Sequence, residues 1–230
     1  MINALAIVPC YNEIDILPYT VRHLNSQGIY CIVLDNWSTD GSYEWAAKHS
    51  SVERFPEAPS KYYEWENILR KVEDIAFNYG ADWSMLNDAD EIRYSNIEGE
   101  TLLEAFERVG KQRYNAVDFT TKHYRLTSDT YSGNPEKTFK LFTIDTVKQI
   151  KTWKNTGQKV DLHSSGGHDI QFEGRDVYPD KFILNHYPFR SLEQAKRKIF
   201  KERIGRYSPD DLAKGFHCHY DKLAKELSNA

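Results

Sequence analysis

The first part of the chain alternates between strand-like and helix-like patterns. Strands are predicted at 3–9, 30–35, 51–55 and 83–87. The first two are short apolar runs typical of buried strands. Helices are predicted between them at 14–26, 43–49 and 64–79, the first and last with apolar residues at helical spacing. Because strands that alternate with helices favour βαβ crossovers, the pattern predicts an α/β fold with a Rossmann-like, mostly parallel sheet flanked by helices.

The second half of the chain is less regular. Helices are predicted at 100–109, 192–204 and 209–227, and strands at 115–121, 138–143 and 182–185. The polar segment 127–137 predicts a loop, and 164–167 predicts a turn. No internal repeat, low-complexity segment or linker interrupts the chain, so we expect one domain over 1–230.

Charge and hydropathy exclude two classes of protein. The 230 residues include 30 Lys and Arg against 34 Asp and Glu, a net charge of −4, whereas binding a nucleic-acid backbone needs a basic excess or patch. The longest apolar runs, 4–8 and 32–34, fall far short of the roughly 20 residues of a membrane helix, and no signal peptide is expected. Cys10, Cys31 and Cys218 are too sparse for a disulfide framework, which favours the cytoplasm.

Aromatic residues make up 13% of the chain, with 15 Tyr, 11 Phe and 5 Trp. Such a content is typical either of a heavy core or of a surface that stacks on sugars and other flat ligands. Composition does not choose between the two. The candidates for stacking are Tyr62, Tyr63, Trp65, Tyr124 and Trp153.

The most informative motif is Asp88-Ala89-Asp90, which follows the strand at 83–87. Residues i and i+2 of an extended segment point to one face, so the two carboxylates converge. A hard divalent ion, Mg²⁺ or Mn²⁺, would relieve their repulsion and leave positions open for phosphate oxygens. An isolated Asp-x-Asp is more often a solvated turn, but open α/β sheets bind their ligands at this end of the strands.

Two further polar loops end the first two strands, at 8–13 and 34–42. Parallel strands bring both loops to the same sheet edge as the Asp-x-Asp. A structural role would also explain these residues: Asp40-Gly41 can form a turn, and Ser38 or Asp40 can be the N-cap of the following helix. Together the three loops predict a pocket for a ligand that carries hydrogen-bonding groups and a phosphate.

In order and spacing, these motifs resemble family 2 glycosyltransferases of the GT-A fold. The matching residues are Val8-Pro9-Cys10-Tyr11-Asn12-Glu13, Asp35 to Ser42, and Asp82-Trp83 leading to Leu86-Asn87-Asp88-Ala89-Asp90-Glu91. The resemblance implies that 1–95 binds a nucleotide-sugar donor and that 96–230, an irregular half with C-terminal helices, receives the acceptor. It also implies Mn²⁺ or Mg²⁺ on the diphosphate of the donor.

The resemblance assigns roles to individual residues. Pro9, Tyr11 and Glu13 would line the base and ribose, and Asp35 or Asn36 would contact the base edge. The whole donor-binding set is Pro9, Tyr11, Asn12, Glu13, Asp35, Asn36, Ser38, Asp40, Asp88, Arg190 and Lys198. Asp90 would be the main metal ligand, with Asp88 beside it.

The segment 185–191 resembles a His-Tyr-x-x-Arg-Ser segment of non-processive members. His186 would complete the metal shell, although a core histidine at a strand end is the plainer interpretation. Arg190 and Lys198 could meet the diphosphate. Ser191 is also sufficient as a helix N-cap, and most of the basic residues at 196–203 suit a solvated face.

The general base that takes the proton of the acceptor hydroxyl is expected to be a carboxylate. Gly166-Gly167-His168-Asp169 allows backbone to approach a ligand closely, which makes Asp169 the first candidate, with Glu91 second. A plain turn is the simpler interpretation of this segment.

The sequence therefore predicts a metal-dependent glycosyltransferase that uses a nucleoside diphosphate sugar, UDP- or GDP-linked. By resemblance it would invert the anomeric centre, and it lacks the Gln-x-x-Arg-Trp signature of polymerising members. A glycan or lipid-linked acceptor is expected, reached in the latter case through peripheral membrane contact of the basic segment 196–206. The alternatives are a nucleotidyltransferase of similar fold and a non-catalytic sugar- or nucleotide-binding module.

Overall fold

The computed structural model describes residues 1–56, 58, 62–127, 130–203, 206 and 209–213. Two sheets carry the fold. The larger has six strands in the order β3-β2-β1-β4-β9-β6. Its strands are β1 (Ala4–Cys10), β2 (Tyr30–Asp35), β3 (Ser51–Arg54), β4 (Trp83–Leu86), β6 (Ala116–Val117) and β9 (Thr152–Lys154). The first four strands are parallel, and β9 runs antiparallel to its neighbours β4 and β6.

Four helices cover the two faces of this sheet. They are α1 (Leu17–Ser26), α2 (Ser42–His49), α3 (Trp65–Tyr79) and α4 (Leu102–Lys111). One apolar cluster joins α1 and α4 to one face, and a second joins α3 to the other. Local signals fix the helix ends: Thr101 and Glu104 form a capping box at α4, and Gly80 ends α3 with a φ of 67°. Successive side chains of each buried strand point to opposite faces of the sheet and pack into the two clusters in turn, so the sheet lies at the centre of the core.

The smaller sheet stands beside the carboxyl end of β4. Its order is β5-β10-β7-β8, with β5 (Glu91–Tyr94), β7 (Phe119–Tyr124), β8 (Phe142–Asp145) and β10 (Phe182–His186). β5 begins directly after the Asp-x-Asp, and His186 of β10 pairs with Glu91 on one side and His123 on the other. The smaller sheet therefore faces the acids of the larger one.

The remaining elements are short. They are α5 (Pro135–Thr138), a 3₁₀ turn (His163–Ser165), α6 (Leu192–Lys196) and α7 (Pro209–Ala213). α6 continues as a π-helix, Arg197–Arg203. The Ser191 hydroxyl accepts a hydrogen bond from the amide of Gln194, which confirms Ser191 as the N-cap of α6. No described helix is long and apolar enough to cross a membrane.

The predicted α/β architecture with a mostly parallel sheet is confirmed, and the errors concern elements that follow the Asp-x-Asp. The bounds of the strand predicted at 138–143 are wrong, because α5 ends at Thr138 and β8 begins only at Phe142. Strands β5 and β9 were not predicted. The strand predicted at 115–121 is divided at Asp118 into β6 and β7. The carboxylate of Asp118 accepts hydrogen bonds from the backbone amides of Phe119 and Gln149. The helix ends predicted at 204 and 227, and Cys218, lie outside the described residues.

Candidate active site

A cleft of about 950 Å³ lies between the carboxyl edge of the larger sheet and the smaller sheet. Binding pockets for small molecules commonly have volumes of about 300–1,000 Å³. The sequence-predicted site residues that line it are Pro9, Tyr11, Glu13, Asp88, Asp90, Glu91, His186 and Lys198. The structure thus brings together residues from the ends of β1, β4 and β10 and from the π-helix.

Three predicted donor-binding residues instead join the first two loops to each other. The amide of Asn12 donates to Ser38 Oγ (3.0 Å), the amide of Thr39 donates to Asn12 Oδ1 (2.8 Å), and the amide of Ile14 donates to Asp40 Oδ2 (3.0 Å). Asn12 has a φ of 57°, which asparagine tolerates better than most residues. None of these three predicted residues lines the cleft, so contact with a donor stays a prediction for each of them.

Asp35 is fully buried at the end of β2. Its carboxylate accepts hydrogen bonds from Arg54 Nε (2.7 Å) and from the amide of Trp37 (3.1 Å). The amide of Asn36 donates to the carbonyl of Cys10 (2.9 Å). Neither Asp35 nor Asn36 lines the cleft, so contact with a base stays a prediction for both.

Arg190 is a buried guanidinium that joins the start of the chain to the segment after β10. It donates to Glu13 Oε2, to Asp15 Oδ2 (2.7 Å) and Oδ1 (2.9 Å), and to the carbonyl of Tyr187 (3.0 Å). Burial opposes its charge, but Glu13 and Asp15 outweigh burial and raise the pKa of Arg190. Arg190 therefore orients Glu13, which lines the cleft, and Asp15, while Arg190 itself does not line the cleft.

Lys198 belongs to the basic segment 196–203, most of which was expected on a solvated face, but its own side chain is buried. Only 4% of its side chain is exposed, and its ammonium lies 2.8 Å from Asp90 Oδ2 and 2.9 Å from Glu13 Oε1. The π-helix places it there, at the rim of the cleft. π-helical turns are rare and often occur at functional sites.

The two carboxylates of the Asp-x-Asp face different cations. Asp88 Oδ2 lies 3.0 Å from Lys151 Nζ, and Asp90 pairs with Lys198. Burial raises the pKa of Asp88 in spite of Lys151. Burial also opposes the charge of Asp90, yet Lys198 and His186 hold the pKa of Asp90 well below its usual range. Of the two acids of the Asp-x-Asp, Asp90 is therefore the one that stays ionised more firmly.

Asp90 and His186 fit a shared divalent cation. Asp90 Oδ1 and His186 Nε2 lie 3.6 Å apart, a separation compatible with two ligands that each bind one ion at about 2.1 Å. A carboxylate suits Mg²⁺ or Mn²⁺, and an imidazole adds a nitrogen ligand of the kind that transition metals bind. Asp88 does not join them in a group whose ligand atoms all lie within 4.8 Å. The assignment of all three residues to one metal stays a prediction.

Among the described residues, the group of potential metal ligands within 4.8 Å of one another is Glu73, Asp161 and His163. None of them lines the cleft. Glu73 Oε1 accepts hydrogen bonds from the amides of Leu162 (2.6 Å) and His163 (2.9 Å). These bonds tie α3 to the 3₁₀ turn, which gives the cluster a structural role.

Lys151 is a site residue that the sequence did not reveal. It is buried, and its ammonium lies 2.9 Å from Glu91 Oε1 as well as 3.0 Å from Asp88. Glu91 also pairs with Arg93 at 2.6 Å. The only signal was a lysine beside the apolar residues of an unrecognised strand, β9. Lys151 and Arg93 make Glu91 a firmly held anion, which is a weak proton acceptor near neutral pH.

Asp169, the first candidate base, lies outside the lining of the cleft. Its carboxylate accepts from Arg175 Nη1 and lies 3.3 Å from Lys148 Nζ. Gly167, with a φ of 91°, packs closely on the core, where an added Cβ would lie 3.1 Å from Leu69 Cδ2. The glycines thus serve the turn, and the role of Asp169 as a base stays a prediction.

We expect Glu91 to make folding stability depend on acid. Burial would raise the pKa of Glu91, but Lys151 and Arg93 outweigh burial and lower it from 4.5 to about 2. Stability from the charged form is therefore complete above pH 4.5 and is lost as the pH falls towards 2, by at most about 3 kcal/mol. In urea unfolding, Glu91→Gln should be less stable at pH 7 and should show a flatter profile below pH 4.5. Parallel profiles for the two proteins would contradict this assignment.

Comparison with known families identifies the class of protein. The family described as Glycosyl transferase family 2 matches residues 5–164, which contain the first two loops, the Asp-x-Asp and Lys151. The chain belongs to this family. Membership confirms the resemblance seen in the sequence and the GT-A type of fold, and makes the protein a member of a transferase family. No curated protein matches the chain.

Similarity to solved structures is weak. The mannose-1-phosphate geranyltransferase of Thermus thermophilus is 12% identical, with 56% of this chain and 43% of that chain covered and a TM-score of 0.33. A UDP-glucose pyrophosphorylase complexed with UDP-glucose is 9% identical, with 81% and 90% covered and a TM-score of 0.36. These values assign no activity to the chain.

Proposed function

We propose that the protein is a metal-dependent glycosyltransferase, which moves a sugar from a nucleoside diphosphate donor, UDP- or GDP-linked, to an acceptor hydroxyl. The observation that carries the proposal is the cleft at the carboxyl edge of the sheet, where Asp90 lies 3.6 Å from His186 and 2.8 Å from Lys198. Family membership supports the same class of donor.

The charges around the cleft suit a cation together with a diphosphate. The acids Glu13, Asp88, Asp90 and Glu91 are each paired with an internal cation, Arg190, Lys198 or Lys151. The positive charges of Arg190, Lys198 and Lys151 are already used to neutralise these carboxylates, so a diphosphate alone would be repelled by the carboxylates. A divalent cation would offset the negative charge of both the carboxylates and the diphosphate. We infer that the donor binds together with its metal.

Each nearby side chain then has a defined task. Asp90 and His186 would hold the metal, which when bound supplies Lewis-acid stabilisation of the leaving diphosphate. Lys198, within reach of both Asp90 and the cleft, would exchange part of its carboxylate contact for a phosphate oxygen. Arg190 binds Glu13 and orients it at the donor side.

Aromatic side chains that line the same cleft could hold flat or sugar-like groups. Tyr63 and Trp65 line the cleft with their rings stacked, 6.0 Å between centroids and 11° between planes. Tyr124 also lines the cleft and stacks on Tyr187 at 4.5 Å. Trp153 is buried in the core and is not available for stacking.

Inversion at the anomeric carbon and a single transfer per encounter are part of the proposal. Of the two candidate bases we retain Asp169, because Lys151 and Arg93 hold Glu91 as a weak base. Asp169 follows Gly166 and His168, which do line the cleft. The acceptor is proposed to be a glycan or a lipid-linked sugar, with exposed residues such as Lys201 in the segment 196–206 available for contact with an anionic membrane surface.

A screen of nucleotide sugars tests this function. In the presence of Mn²⁺, one UDP- or GDP-linked sugar should be hydrolysed slowly in the absence of acceptor, with release of the nucleoside diphosphate and the free sugar. Release of a nucleoside diphosphate supports glycosyl transfer. Incorporation of labelled pyrophosphate into a nucleoside triphosphate would instead identify a nucleotidyltransferase, and turnover of neither kind across the full set would contradict catalysis.

A further inference from the structure

Two histidines touch each other across adjacent strands of the smaller sheet. His123 of β7 and His186 of β10 are register partners, and their Nδ1 atoms lie 2.9 Å apart. Both side chains line the cleft. On the far side of His123, Nε2 lies 3.5 Å from Asp145 Oδ2. The four side chains Asp145, His123, His186 and Asp90 therefore form a continuous polar chain across the cleft.

The chain has a carboxylate at each end, so the contacts alone do not decide which nitrogen carries a proton. A cation held between Asp90 and His186 would take the lone pair of His186 Nε2, which leaves the proton of a neutral His186 on Nδ1. His186 Nδ1–H would then donate to His123 Nδ1, 2.9 Å away, while Nε2–H of His123 faces Asp145.

We propose that His123, held by Asp145, is a positioning residue that prepares His186 Nε2 for a divalent metal. The proposal rests on the function proposed above, in which Asp90 and His186 hold that metal. A ligating histidine commonly donates its other ring N–H to a fixed acceptor, which sets the tautomer and the ring orientation. Here the acceptor is a second histidine, placed by the register of β7 against β10.

The measurement is Mn²⁺ affinity of the protein alone, followed by the electron paramagnetic resonance signal of free Mn²⁺. His123→Phe keeps an aromatic ring but removes the acceptor, and should raise the Kd about 10–100-fold. His123→Asn keeps an acceptor oxygen and should recover most of the affinity. His168→Phe is the matched control, because it removes a cleft-lining histidine outside the chain of contacts, and its affinity should equal that of the wild type.

A second variant keeps the test decisive if His123→Phe does not fold. Asp145→Asn changes a side chain that is 42% exposed at β8, the outer strand of the smaller sheet, and should raise the Kd by less than His123→Phe does. In pulsed spectra of bound Mn²⁺, coupling to an imidazole nitrogen should persist in both variants and vanish in His186→Ala.

The outcomes separate this inference from the function on which it rests. If Asp90→Ala and His186→Ala weaken Mn²⁺ binding while His123→Phe and Asp145→Asn do not, the positioning role is overturned and the metal site stands. If the wild-type protein binds no Mn²⁺, or binds it unchanged in Asp90→Ala, the metal site of the proposed function fails, and the inference fails with it.

Discussion

Replacing Arg190 with methionine should lower the free energy of unfolding by about 3–5 kcal/mol, the cost of leaving one partner of a buried ion pair uncompensated. Arg190 has no exposed side-chain surface and binds Glu13 and Asp15 at once. For a chain of this length, each kcal/mol shifts the Tm by about 2–4 °C, so the fall should be roughly 6–20 °C. Thermal and urea unfolding followed by circular dichroism measure it.

Arg70→Met provides a matched control for this change. Arg70 also pairs with a glutamate, Glu66 at 2.8 Å, but its side chain is 52% exposed on α3. Exposed pairs four apart on a helix contribute only about 0.3–0.5 kcal/mol. Equal losses in the two variants would show that burial of the Arg190 pair does not govern its contribution.

A double variant identifies the partner of Arg190. Combining Glu13→Gln with Arg190→Met removes both charges, so the combined loss should be smaller than the sum of the single losses. Strict additivity would mean that Glu13 is not the carboxylate that depends on Arg190.

The second large effect is expected at Asp90. Asp90→Asn keeps the shape of the side chain but removes the charge that faces His186 and Lys198. Metal-linked binding of the nucleotide should be lost, and the rate of donor hydrolysis should fall by about 10²–10³, a typical cost of removing one electrostatic contact to a developing charge. The fold should persist, because Lys198 keeps its contact with Glu13 at 2.9 Å.

Asp74→Asn is the control for Asp90→Asn. Asp74 is 57% exposed on α3 and lies 3.7 Å from Lys159, away from the residues that line the cleft. Its variant should keep the rate and the Mn²⁺ dependence of the wild type. If Asp90→Asn keeps them too, Asp90 is removed from the metal site.

The first half of the fold could be predicted because its signals are local. Apolar runs such as 30–35 and the helix at 64–79 reproduce the observed β2 and α3 to within one residue at each end. Strands β5 and β9 carry buried polar or charged residues, Arg93 and Thr152 among them. Their period is therefore hidden, and their place in the sheets depends on partners far along the chain.

The candidate site divides in the same way. The acids Asp88 and Asp90 were found because two like charges two residues apart after a strand need an explanation. Lys151 and His123 were missed, because each acquires its meaning only from a contact about 60 residues distant, with Asp88 and with His186. Lys198 was found as a candidate, but its burial was not, since a basic helix by itself predicts a solvated face.

Thermal unfolding with UDP or GDP, in the presence and absence of Mn²⁺, tests the central claim most directly. At a nucleotide concentration 100 times its Kd, binding should stabilise the protein by about 2.7 kcal/mol. The Tm should therefore rise by roughly 5–11 °C, and the rise should require Mn²⁺ and disappear in Asp90→Asn. A Tm that neither nucleotide raises, with or without Mn²⁺, would contradict a nucleoside diphosphate site in the cleft.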